Sequence, residues 1–200
     1  HSSLANFIQL IGGRVEAVTP ALARDRSAAA MARSTVLILD FGSQYTQLIA
    51  RRIREQHVYC EIQPCTIELA RIRELAPSAI VLSGGPASVY EEGAPSVDDG
   101  VFELGVPILG ICYGMQLFCR ALGGRVEPAA EREYGAARID VVEGSGVLAA
   151  FEAGAQVEVW MSHGDRVAAL PEGFVTLGRT ANAPFAAVGN AARKIYGLQF

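Results

Sequence analysis

From Ser34 onward, short blocks of consecutive apolar residues alternate with stretches whose apolar positions recur every three or four residues. Thr35-Val36-Leu37-Ile38-Leu39 is a compact β-branched run, the pattern of a strand buried on both faces. Asp40-Phe41-Gly42-Ser43 turns the chain, and residues 44–56 then carry Leu48, Ile49 and Ile53 at helical spacing, leaving Arg51, Arg52 and Arg54 for the other face. The same reading predicts a strand over 58–63, a short helix over 67–75 and a buried strand over 79–82. It continues with a helix near 97–104, a buried strand over 107–111, and a helix that runs to about Leu122. Past Gly123 the texture changes to short strand-like runs at 138–142, 157–161, 175–180, 185–188 and 194–200. The pattern predicts an α/β fold: an open, mostly parallel twisted sheet with helices on both faces and an antiparallel or mixed C-terminal extension.

The start of the chain does not share this alternation. Residues 1–33 read as an N-terminal extension, poorly ordered or non-native and loosely attached to a single domain over 34–200; the alternative is an amphipathic helix docked around residues 4–11. With 200 residues, half of them hydrophobic, the chain holds enough apolar material for a sizeable core. Its formal charge of −4 argues against a nucleic-acid binder, which normally shows a basic excess. No apolar run reaches the roughly 18–20 residues of a membrane span, and there is no secretory signal, so the expected setting is cytoplasmic. The four cysteines, Cys60, Cys65, Cys112 and Cys119, form no C-x-x-C pair and meet no histidines at zinc-ligand spacing. They read as reduced thiols, with no metal site expected.

The strongest chemical signal is Gly110-Ile111-Cys112-Tyr113-Gly114, which directly follows a buried strand and opens a helix. This is the form of a nucleophile elbow with cysteine in place of serine: small residues two before and two after allow the sharp turn that exposes the side chain. At a helix N-terminus the macrodipole favours a thiolate, so the expectation is a thiol lowered below its ordinary value. The second signal is Ser83-Gly84-Gly85-Pro86, at the end of the neighbouring strand, where ligands of open α/β sheets bind. The backbone N–H groups of Gly85 and Tyr113 then supply two donors for an oxyanion. A base is less clear. His163, in Trp160-Met161-Ser162-His163-Gly164-Asp165, is the local nominee with Asp165 as its orienter, but a histidine in a strand-end loop is more often structural. Asp40-Phe41-Gly42 spells a kinase metal motif without the other kinase elements around it, and Asp98-Asp99-Gly100 is too short for a calcium loop.

Taken in order, these blocks resemble the class I glutamine amidotransferases over residues 34–200. The elements are Asp40-Phe41-Gly42-Ser43-Gln44-Tyr45, Ser83-Gly84-Gly85-Pro86 with Ser88-Val89-Tyr90, the cysteine elbow with Met115-Gln116, Arg132-Glu133-Tyr134-Gly135, residues 161–165, and Tyr196-Gly197-Leu198-Gln199-Phe200. The first, second and fifth of these point to the branch that supplies ammonia for amination of a purine nucleotide. The resemblance implies attack of Cys112 on the carboxamide of L-glutamine, with Gly85 and Tyr113 at the oxyanion hole. Gly84, Gln116, Ser162, Gly164 and Asp165 match positions that hold the substrate, and His163 matches a binding-loop position rather than the base. It implies no cofactor for this domain, and as partner a synthetase (ATP pyrophosphatase) domain or subunit that uses ATP and Mg2+, in a full-length homodimer. The alternatives are the amidotransferase component of another synthetase, or a non-catalytic flavodoxin-like binding module.

In that family the histidine and glutamate that complete the triad sit in a His-Pro-Glu segment immediately after the final Leu-Gln-Phe. The sequence ends at Phe200, so the expectation is a domain lacking its C-terminal end and turning over weakly or not at all. Nothing in it resembles the Ser-Gly-Gly-Val-Asp-Ser loop of the synthetase domain.

Overall fold

The structure, a computed structural model, describes residues 2–10 and 35–200. Its centre is a sheet of nine strands among the described residues: β1 (Thr35–Asp40), β2 (Tyr59–Pro64), β3 (Ala79–Leu82), β4 (Ile108–Ile111), β5 (Arg125–Val141), β6 (Gln156–Ala169), β7 (Val175–Arg179), β8 (Ala187–Asn190) and β9 (Ile195–Leu198). They lie in the order β2-β1-β3-β4-β9-β8-β7-β5-β6. The first five in that order are parallel, and β8, β7, β5 and β6 add an antiparallel wing. The final strand β9 thus inserts beside β4 in the middle of the sheet and brings residues 198–200 back to the site.

Alternation along β1 shows how the layers form. Val36 and Ile38 point into one cluster with Ile49, Ala50 and Ile53 of α2 (Thr46–Glu55). Leu37 and Leu39 point into the opposite cluster with Ile72 of α3 (Leu69–Leu75) and with Met115 and Phe118 of α4 (Tyr113–Ala121). All four β1 residues are fully buried, which is why the strand reads as an unbroken apolar run. In α2 the buried positions are 46, 49, 50 and 53, and Leu48, expected on the core face, is exposed instead.

Three expectations are corrected. The helix near 97–104 is a 3-10 helix, Asp99–Glu103, capped by Asp98, whose carboxylate accepts from the Gly100 N–H at 2.8 Å. The short runs at 138–142 and 157–161 are parts of two long strands, β5 and β6, paired from Arg125↔Ala169 to Asp140↔Gln156. Residues 162–165 therefore lie within β6 and not in a loop at its end. Finally, residues 2–10, placed in a loosely attached extension, form α1 (Ser2–Leu10), which packs on the 3-10 turn Gly146–Leu148 and on α2. Phe7 and Ile8 are buried there, and Asn6 Nδ2 donates to the Val147 carbonyl at 3.0 Å. Residues 11–34 of that extension lie outside the described residues. No helix among the described residues is long and apolar enough to cross a membrane.

Truncating a fully buried phenylalanine typically costs about 3–5 kcal/mol. Phe7→Ala is accordingly expected to lower the urea-unfolding free energy by about 3 kcal/mol. An unchanged midpoint would mean that α1 does not dock in solution.

Candidate active site

The carboxyl ends of β1, β3, β4 and β9 face one edge of the sheet, and the chemistry collects there. Asp40 ends β1 and organises the first turn: its Oδ1 accepts from the Gly42 N–H at 3.0 Å and from Thr46 Oγ1 at 2.7 Å. Asp40-Phe41-Gly42 is thus a turn that leads the chain into α2. Ser83 follows β3, fully buried, with Oγ accepting from the Phe41 N–H at 3.0 Å and donating to the Gly84 carbonyl at 2.8 Å. Its own carbonyl accepts from the Gly114 N–H at 3.1 Å, tying this loop to the turn after β4.

That turn carries Cys112 at φ +47°, ψ −106°. A side-chain-bearing residue in this region costs on the order of 1–3 kcal/mol and persists only where its surroundings hold it. Here the Cys112 N–H is held by the Leu198 carbonyl at 2.7 Å. The two flanking glycines are required sterically. A Cβ on Gly110 would stand 2.7 Å from the Gly114 carbonyl, and one on Gly114 would strike the Leu82 carbonyl oxygen and come within 2.6 Å of Leu82 Cβ. Gly85 is constrained likewise, since a Cβ there would lie 2.7 Å from the Phe41 carbonyl oxygen. Tyr113 opens α4, so its N–H has no acceptor one turn back in the helix.

Cys112, Gly84, Gly85, Tyr113, Gln116, Ser162, Gly164 and Asp165, together with His163, all line one cavity of about 860 Å³. Gln116 is buried beneath it, and its Nε2 donates to the Asp165 carbonyl at 3.1 Å and to Gln199 Oε1 at 3.3 Å. The Asp165 carboxylate accepts from Ser88 Oγ at 2.5 Å and from Tyr90 Oη at 2.6 Å, so its partners are hydroxyls of the loop after β3. The Cys112 thiol donates to the Gln199 carbonyl at 3.3 Å. Four residues with structural parts at this site, Ser83, Ser88, Tyr90 and Gln199, received no role from the sequence. Their signal lay in the blocks Ser83-Gly84-Gly85-Pro86, Ser88-Val89-Tyr90 and Leu198-Gln199-Phe200, but their partners are distant in the chain.

The thiol departs from expectation. Desolvation pushes Cys112 up to about 12, against an ordinary value of 9.0. A helix N-terminus contributes about 0.3–1 kcal/mol at an exposed site and up to about 2 kcal/mol at a partly buried one, and each tenfold in acidity requires about 1.4 kcal/mol. The dipole therefore offsets at most about one and a half decades, and burial dominates. All four cysteines are free, and among the described residues no cluster of three or more His, Cys, Asp or Glu has the form of a metal site.

A strained cysteine elbow at the carboxyl edge of a parallel sheet, backed by a glycine-rich loop, places a thiol where open α/β folds bind their ligands. The chain belongs to the class-I glutamine amidotransferase family, whose model matches residues 37–200. It is 56% identical over 166 residues to the GMP synthase (glutamine-hydrolyzing) of Heliobacterium modesticaldum, covering 83% of this chain and 32% of that protein. It is 55% identical over 171 residues to the GMP synthase of Nitrosococcus oceani, covering 82% of this chain and 33% of that one. The chain thus spans about a third of the length of the curated relatives it matches. Among solved structures, a Thermoplasma acidophilum protein assigned as a GMP synthase subunit superposes with a TM-score of 0.74 at 27% identity, covering 83% of this chain and 82% of that one.

Two outcomes follow from this geometry. Gly114→Ala is expected to cost about 1–3 kcal/mol in chemical denaturation, because the intruding methyl meets backbone. Burial disfavours the charged thiolate, so below about pH 12 Cys112 retains its proton. Alkylation by iodoacetamide, followed by mass spectrometry, is expected to speed up about tenfold per pH unit from neutrality upward. A plateau near neutral pH would show a thiol that is already ionised.

Proposed function

We propose that the chain is the glutamine-hydrolysing portion of a GMP synthase, with Cys112 as its nucleophile. The observation that carries this reading is the elbow, which turns the Cys112 side chain into a cavity bordered by Gly85 and by Tyr113, the first residue of α4. A base takes the Cys112 proton as the sulfur attacks the carboxamide carbon of L-glutamine, and the C–S bond forms as the carbonyl π electrons move onto oxygen. The N–H groups of Gly85 and Tyr113 receive that oxyanion. Collapse breaks the C–N bond, and ammonia leaves with a proton from the base, giving a γ-glutamyl thioester. Water then attacks the thioester, releasing glutamate and restoring the thiol. Gly84, Gln116, Ser162, Gly164 and Asp165 hold the substrate.

Such a cycle requires a base, since a positioned proton acceptor is worth about 10²–10⁴-fold and desolvation alone leaves Cys112 protonated. Asp165 accepts from Ser88 and Tyr90, which supports a substrate-holding part for it rather than that of orienter to a His163 base. The family's His-Pro-Glu segment supplies the base in our reading. The ammonia serves a synthetase domain or subunit that uses ATP and Mg2+ to activate xanthosine monophosphate, where ammonia displaces AMP to give GMP. In this reading the full-length enzyme is a cytoplasmic homodimer. One observation favours a second reading, a non-catalytic binding module: the thiol is raised rather than activated.

Labelling with a glutamine-shaped electrophile separates the two. The proposal expects selective modification of Cys112 over Cys60, Cys65 and Cys119, suppressed by excess L-glutamine and absent in Cys112→Ala. Equal labelling of the cysteines, with no protection by glutamine, would favour the binding module.

A further inference from the structure

The two walls of the cavity come from opposite parts of the sheet. Ser88 and Tyr90 belong to the loop after β3, third in the sheet order, whereas Asp165 lies on β6, which is ninth. The separations are 77 and 75 residues, yet both hydroxyls close on a single carboxylate, Ser88 on Oδ2 at 2.5 Å and Tyr90 on Oδ1 at 2.6 Å. The same loop is pinned from the catalytic side by Tyr113, whose hydroxyl donates to the Pro95 carbonyl at 2.5 Å. Within it, the Ser88 N–H donates to Glu91 Oε2 at 3.3 Å.

Two neutral donors do not cancel the charge of a carboxylate. They use two of its roughly four acceptor positions and fix the orientation of the rest. Tyr90 is held in its donor form, because the neighbouring Asp165 pushes the phenol upward. Among the described residues, the cavity lining contains Asp165 and Glu91 and no lysine or arginine. Its rim therefore favours a cation, and an α-amino acid brings one in its ammonium group.

We propose that Ser88 and Tyr90 are positioning residues that act through Asp165, aiming its carboxylate at the α-ammonium of the bound amino acid and so setting the selectivity of the cavity. This rests on the glutamine-pocket reading above. The clamp also joins the loop bearing Gly84 and Gly85 to β6, so the cationic end of the substrate and its carboxamide are located by one connected frame.

The test uses the full 200-residue chain and iodoacetamide labelling of Cys112, read by mass spectrometry. Two protecting ligands are compared: L-glutamine, and glutaramate, which is glutamine without its α-amino group. Tyr90→Phe and Ser88→Ala are each expected to raise the glutamine concentration for half-protection about tenfold. They should leave the value for glutaramate within about twofold, and Ser88→Thr, which keeps a hydroxyl, should restore protection by glutamine. A general loosening of the loop would weaken both ligands equally, and that result overturns the proposal. Variants that protect as well as the wild type with glutamine overturn it too. If glutamine fails to protect the wild-type chain, the glutamine-pocket reading itself falls and the clamp's role falls with it.

Discussion

Cys112 sits at φ +47°, a conformation that a cysteine would not hold in an isolated peptide, and the architecture around it is what keeps it there. Its N–H is held by Leu198 of β9, and the next turn is anchored by the Gly114 N–H on the Ser83 carbonyl. Both bonds require β3, β4 and β9 to lie side by side and parallel, as they do. The turn also requires that nothing larger than hydrogen stand at Gly110 or Gly114. Sheet order, glycine placement and the burial of Ser83 are thus facets of one constraint, the presentation of a single thiol at the edge of the sheet.

The electrostatics of that thiol follow from its position. A residue presented deep in a packed turn loses water, and the lost hydration outweighs the favourable end of a nine-residue helix. The structure therefore separates two properties often treated together. Geometry of presentation is built into the elbow, whereas burial opposes ionisation of the thiol. A third set of groups, arranged around Asp165 and Gln116, lines the same cavity, and in the reading proposed above it holds the ammonium end of the substrate.

Much of this was legible along the chain because it is local. The buried parallel strands announce themselves as unbroken apolar runs, and Gly110-x-Cys112-x-Gly114 after such a run specifies its own turn. The long β5–β6 pair was not legible over most of β5. Residues 125–137 are rich in Ala, Glu and Arg, contain Pro128, and lack two-residue alternation; they form a strand because β6 pairs with them across a register shift between Pro128 and Glu133. The placement of Ser162, His163, Gly164 and Asp165 within a strand followed from that missed pairing. The clamp on Asp165 and the bond from the thiol to Gln199 join residues more than seventy positions apart, and local pattern carries no trace of them. The raised thiol was missed for a related reason: the helix N-terminus is visible in sequence, but the desolvation that overrides it is a property of the packed neighbourhood.

The most direct measurement is a crystal structure of the Cys112→Ala chain with L-glutamine bound. The account predicts the carboxamide oxygen within hydrogen-bond distance of both the Gly85 and Tyr113 N–H groups, its carbon facing the position of the removed sulfur, and the ammonium on Asp165. Glutamine bound elsewhere, or with its carboxamide turned away from residue 112, would contradict it.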